Sequence, residues 1–234
     1  MKTLNQYIQE KLIINQLFDE KLIINKDYRD DGLSPKSFDE LRKIIEDRYD
    51  KLGAGTEQDP VDFNDIDVSN IDSFYNKNAG EFGRGIFQKT KFKYIDISDW
   101  DVSNIKSMRN MFFMCTELKS VGDISYWDVS NVTSMRNMFS WCKKLKSVEN
   151  ISKWDVSNVK YMSNMFYDCE ELEFIGDTSK WNVSSVTDMT HMFNTCKTLT
   201  SVGDLSNWDV SNVKYMSYMF HNSGIKNTPS WYKV

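Results

Sequence analysis

Four cysteines, Cys115, Cys142, Cys169 and Cys196, stand 27 residues apart, and a row of thiols is the first place to look for metal or redox chemistry. Stacked Cα atoms about 5 Å apart fall within disulfide range. Side chains of a ladder, however, point the same way, and paired-Cys metal motifs use spacings of two to four residues. Free cysteine packs as a small hydrophobe, so these are expected to be reduced, buried and structural. A second ladder, Asp-x-Ser-Asn, suggests calcium through stacked oxygen ligands. It lacks the Gly-Gly-x-Gly-x-Asp pattern of calcium-binding β-helices, and helix capping accounts for the same residue types. The two histidines, His191 and His221, occupy different repeat phases. No glycine-rich phosphate loop, nucleophile elbow or zinc motif occurs. Among 34 acidic residues nothing singles out a carboxylate pair. The expectation is a non-enzyme with no catalytic, cofactor-binding or metal-binding residues.

The elements that carry these ladders are repeats. Trp-Asp-Val-Ser-Asn starts at Trp100, Trp127, Trp154 and Trp208, with the variant Trp181-Asn182-Val183-Ser184-Ser185 in phase. Met-Phe recurs at Met111, Met138, Met165, Met192 and Met219, and a Leu follows each Cys by three residues. A strict period of this length makes each unit one turn of a stacked coil that buries its apolar face only against its neighbours. Within a unit, Val132, Met135, Met138, Phe139 and Cys142 suggest one face of a short helix or 3₁₀ segment. Asp128 and Ser130 are placed to cap it. Leu145 to Ile151 suggests a short strand. The fold class expected is an α/β repeat solenoid, leucine-rich-repeat-like. It has a parallel sheet of short strands on one face, short helices on the other and a helical N-terminal cap. The Trp and Met ladders are expected in its core.

Three regions follow. Residues 1–30 form an extension in which Glu10-Lys11-Leu12-Ile13-Ile14-Asn15 is duplicated at Glu20 to Asn25. Residues 31–60 form the cap: Ser37 and Glu40 make a capping box, and the spacing of Leu41, Ile44, Ile45, Tyr49 and Leu52 predicts a helix over 38–52. Residues 61–234 form the array. Its first copy, Ile66-Asp67-Val68-Ser69-Asn70, lies 34 residues before Trp100, and the seven extra residues suggest a loop over 76–85. Residues 221–234 form the C-terminal cap.

In such an array, function belongs where the repeat varies. Phe113, Trp141 and Tyr167 follow Met-Phe and are expected to line up as an exposed aromatic stripe, the preferred contact surface because aromatics dominate binding hot spots. Shielding of the unit's edge is the alternative for the same residues. Tyr126 before its Trp, and Lys119, Lys146 and Glu173 after the Leu, complete the candidate partner-binding set.

The unit Trp-Asp-Val-Ser-Asn-Val…Met-x-x-Met-Phe-x-x-Cys-x-x-Leu-x-Ser-Val resembles the repeat of BspA-like bacterial surface proteins, over residues 62–234. These are leucine-rich-repeat relatives found in mycoplasmas and gut bacteria, with similar repeats in their phages. The resemblance implies a solenoid with adhesive or protein-binding use and no assigned active site. A shorter resemblance joins Ile8-Gln9-Glu10 to the cleaved capsid-targeting segment of internal proteins of T-even-like phages, which implies a packaged virion component. The net charge of −5 gives no basic face for nucleic acid. No apolar run reaches the roughly 18 residues that span a membrane. No secretory leader is visible, so the expected place is the cytoplasm of a bacterium or phage-infected cell, with the virion as the alternative. The expected partner is a protein.

Overall fold

The computed structural model describes residues 33–79 and 83–233. The duplicated Glu10 to Asn15 segment and Ile8-Gln9-Glu10 lie outside the described residues. Helix α1 spans Phe38–Leu52, the range set by its apolar spacing. Ser37 caps it by accepting from the Glu40 amide. The Glu40 carboxylate reaches back to the Lys36 amide at 2.7 Å, one residue before the cap. No described helix is long and apolar enough to cross a membrane.

The repeats differ from their expected secondary structure, and the reason is the period. Val102, Ile105, Met108 and Met111 are buried three residues apart, and Phe112, Cys115, Leu118, Val121, Ile124 and Trp127 resume the same interval after one step. A helix has a period of 3.6, so an interval of three held around the whole unit belongs to a chain of tight turns. Met111, Phe113 and Cys115 each donate to the carbonyl three residues back, on Met108, Asn110 and Phe112. The amides between them leave the unit: Met108, Asn110, Phe112 and Met114 donate to Ser134, Arg136, Met138 and Ser140 of the next one, at 2.8–3.0 Å. Backbone groups are thus satisfied alternately within and between units.

That alternation needs left-handed residues. Asn110, Asn137 and Asn164 hold φ of 55–56°, and Met114, Trp141 and Asp168 hold φ of 59–65°. Asn tolerates this region, and a helix cannot contain two such residues four apart. The expected short helix or 3₁₀ segment is therefore corrected to a series of single turns, each closed by a bond to the carbonyl three residues back and interrupted by left-handed residues. The described array's helical segments are two 3₁₀ turns, Ile151–Lys153 and Leu205–Asn207.

The segment read as helical carries the sheet-like contact. Single parallel bridges join Ser73, Ser107, Ser134, Tyr161, Asp188 and Tyr215 in unbroken succession. Where Leu145 to Ile151 was expected as a strand, one bridge, Ser147 to Phe174, is formed. Among the described residues, strands pair only near the cap: β1 (Val61–Asp62) runs parallel to β4 (Ile95–Asp96), and β2 (Tyr75–Asn76) pairs antiparallel with β3 (Arg84–Gly85).

The hairpin β2–β3 accounts for the irregular first unit. From Ile66 to Phe87 is 21 positions, where Trp100 to Phe112 is 12, and from Phe87 to Trp100 is 13, where Phe112 to Trp127 is 15. The seven extra residues are therefore a nine-residue insertion and a two-residue deletion. Phe87 keeps its rung, stacked on Phe112 at 5.2 Å.

The Asp-x-Ser-Asn ladder closes turns and does not cap helices. Asp101, Asp128, Asp155 and Asp209 each accept from the amide two residues on, at 3.0 Å. This is an Asx-turn. The following Asn stitches units together: Asn131, Asn158 and Asn212 donate to the carbonyls of Ser103, Ser130 and Ser184 at 2.8 Å. Ser185 occupies that position in its unit and is too short to reach Ser157. Ser185→Asn should restore the rung and stabilise by about 0.5–1 kcal/mol, a rise in melting temperature of roughly 1–4 °C. A thermal melt showing no rise would remove the stitching role.

Candidate protein-binding face

Three ladders face inward. The Trp127, Trp154, Trp181 and Trp208 indoles donate to the carbonyls of Ile97, Ile124, Ile151 and Thr178 at 3.0–3.2 Å. Buried indole N–H groups need such a partner. Phe112, Phe139, Phe166, Phe193 and Phe220 stack at 5.0–5.9 Å. The four thiols are free and buried. Each donates to the carbonyl of a Phe one unit back, Cys142 to Phe112 and Cys169 to Phe139 among them. Burial pushes all four up, Cys115 to about 11, which disfavours thiolate. Among the described residues no group of His, Cys, Asp and Glu gathers in a metal-binding arrangement.

The outer face is built by the turns after the bridge ladder, where positions between the period-three apolar ones such as Phe113, Trp141, Tyr167 and His191 are half-covered, while others, Asn110, Ser140 and Asn194 among them, are buried. Trp141 and Tyr167 meet edge to face at 5.9 Å. Phe113 is half-buried and makes no ring contact with Trp141. Its register explains this: Phe113 is in phase with Ser140 and Tyr167, and Ser140 is buried, while Trp141 stands one position later in a left-handed turn.

The ring series continues in the other direction, through residues the sequence reading left out. Tyr167 meets His191 at 5.7 Å, His191 stacks on Tyr218 at 5.3 Å, and Tyr218 meets His221 at 5.5 Å. Burial, then the neighbouring His221, lowers the His191 pKa, so its imidazole is more readily neutral. Its Nδ1 lies 2.8 Å from the Asn194 amide. A signal was present: His191 and Tyr218 replace Asn110, Asn137 and Asn164 in phase.

Charges flank the rings. Lys143 lies over Trp141 at 5.1 Å and bridges to Asp168 and Glu170 at 3.1 and 2.7 Å. Lys143 and Lys197 together hold the Glu170 carboxyl at about 2. Elsewhere, Tyr126 is 79% exposed with Lys153 over its ring at 5.6 Å. Lys119 covers Tyr94 at 5.5 Å. Lys146 and Glu173 are exposed on adjacent units, joined by a 2.8 Å backbone bond. These four belong to other stretches of the unit than Trp141 and Tyr167, so the candidate set is not one patch.

Among solved structures, a leucine-rich repeat protein from Eubacterium ventriosum is similar at 17% identity and a TM-score of 0.42, over 71% of this chain and 44% of that one. The chain thus spans less than half of that protein's length. No curated protein matches the chain. The family described as "Mycoplasma protein of unknown function, DUF285" matches residues 81–201 and 147–231, in broad agreement with the BspA-like resemblance of the repeat. With the greater part of its length so matched, the chain belongs to the DUF285 family.

Proposed function

We propose that the chain is a non-catalytic solenoid scaffold that binds a protein through the turn face carrying Trp141, Tyr167, His191 and Tyr218. The observation that carries this reading is the contact series of half-buried and exposed rings across successive units. Trp and Tyr supply large contact area with little side-chain entropy to lose, which suits them to binding hot spots. Family membership and the BspA-like repeat support a leucine-rich-repeat-type scaffold whose fixed frame displays varied residues.

The test compares the immobilised chain with its Trp141→Ala/Tyr167→Ala variant, reading retained proteins by mass spectrometry. Because both rings lie outside the core, the melting temperature should move by less than about 2 °C. Retention of a specific protein should fall at least about tenfold, the loss of one or two hot-spot side chains. The same proteins retained by both would remove this face.

A further inference from the structure

Two arginines share one sequence context, Ser107-Met108-Arg109-Asn110-Met111-Phe112 and Ser134-Met135-Arg136-Asn137-Met138-Phe139, and only one is satisfied. Arg136 donates from Nε to the Ser163 hydroxyl, 27 residues on, at 2.8 Å. Its Nη2 donates to the Asp188 carboxylate, 52 residues on, at 2.5 Å. At the same offsets from Arg109 stand Arg136, which has no acceptor, and Tyr161, which carries no charge and whose ring lies under the Arg136 guanidinium at 5.8 Å. The Arg109 guanidinium instead turns back onto the Tyr75 ring, 4.7 Å away. Its Nε is removed from water with no acceptor.

We propose that Arg109 is the receiving cation for a carboxylate side chain of the protein partner, an acidic segment laid along the bridge ladder past Ser107 and Ser134. An arginine donates two parallel N–H bonds to a carboxylate. The Tyr75 ring already holds the guanidinium, so less freedom is lost on binding. Arg136 is neutralised by Asp188, so the site offers one unpaired positive charge and suits a singly charged carboxylate better than a phosphate dianion. Arg109 and Trp141 belong to the same stretch of the unit, between the bridge ladder and the Cys, and the proposal rests on that face being the protein-binding one.

The probe is fluorescein-labelled hexaglutamate, followed by anisotropy at low salt, with arginine Nε–Hε resonances followed on the ¹⁵N-labelled full chain. The expected result is saturable binding that shifts the Arg109 resonance, weakened at least tenfold by Arg109→Gln and not rescued by Arg109→Lys. Lys180→Gln, which removes one exposed charge just before Trp181 and off the bridge ladder, should change affinity less than twofold. Equal losses in the Gln variants of Arg109 and Lys180 would overturn the proposal, as would an unshifted Arg109 resonance. Displacement of the peptide by inorganic phosphate at concentrations where acetate has no effect would overturn the choice of carboxylate. Failure here with protein retention still dependent on Trp141 and Tyr167 removes the Arg109 site alone.

Discussion

Trp154→Ala is expected to lower stability by about 3–5 kcal/mol, the range for truncating a large buried aromatic. Trp154 is 3% exposed, stacks on Trp127 at 6.4 Å and donates to the Ile124 carbonyl at 3.0 Å. Truncation removes the packing and leaves that carbonyl without its indole donor. Trp154 lies mid-array, so the cavity also weakens both interfaces on which neighbouring units depend. The measurement is urea unfolding followed by circular dichroism. The midpoint should fall, and a second transition or a smaller slope should appear if the array divides at the lesion. Trp154→Phe retains an aromatic ring and loses the donor, so its cost should be about 1–2 kcal/mol. A loss below about 1 kcal/mol for the alanine variant would mean that the indole ladder does not hold the units together.

The same ladder shows why much of the core was legible. Trp, Met and Phe recur at one spacing in five copies and Cys and Leu in four, and a position held so strictly is one that packs. What misled was the short run Val132, Met135, Met138, Phe139, Cys142. Over so few residues, intervals of three fit a helix as well as a turn series. Only the continuation through Leu145, Val148 and Ile151, buried at the same interval, separates the two. Asn at 110, 137 and 164 was a readable sign of left-handed backbone. Met114 and Trp141, equally left-handed, carried no such sign. The proposed binding face was half legible for the same reason. Trp141 and Tyr167 are conspicuous by residue type, whereas His191 and Tyr218 emerge only once the turns bring their position beside Tyr167.

Arg48→Ala should cost about 3–5 kcal/mol at the N-terminal end, because it removes one partner of a buried ion pair. Arg48 holds both Asp65 carboxylate oxygens at 2.6 and 2.9 Å, donates to the Asp62 carbonyl at 2.5 Å and lies over the Phe63 ring at 4.9 Å. Asp65 is itself nearly buried, so truncation strands a carboxylate away from water. The loss acts on the cap: α1 covers the first unit with Leu41 and Ile45, and Arg42 donates to the Ile86 carbonyl at 2.5 Å. A stacked array opens from its ends, in units smaller than the whole. Native-state hydrogen exchange should therefore show the Phe63 and Phe74 amides losing protection by about a hundredfold or more, while Phe139 amid the array keeps most of its own. Arg48→Met/Asp65→Asn, which removes both charges, should recover part of the loss, since a buried pair is worth less than the penalty of breaking it. Equal loss of protection at Phe63 and Phe139 would instead make the cap and array one cooperative unit, with no independent opening of the first coil.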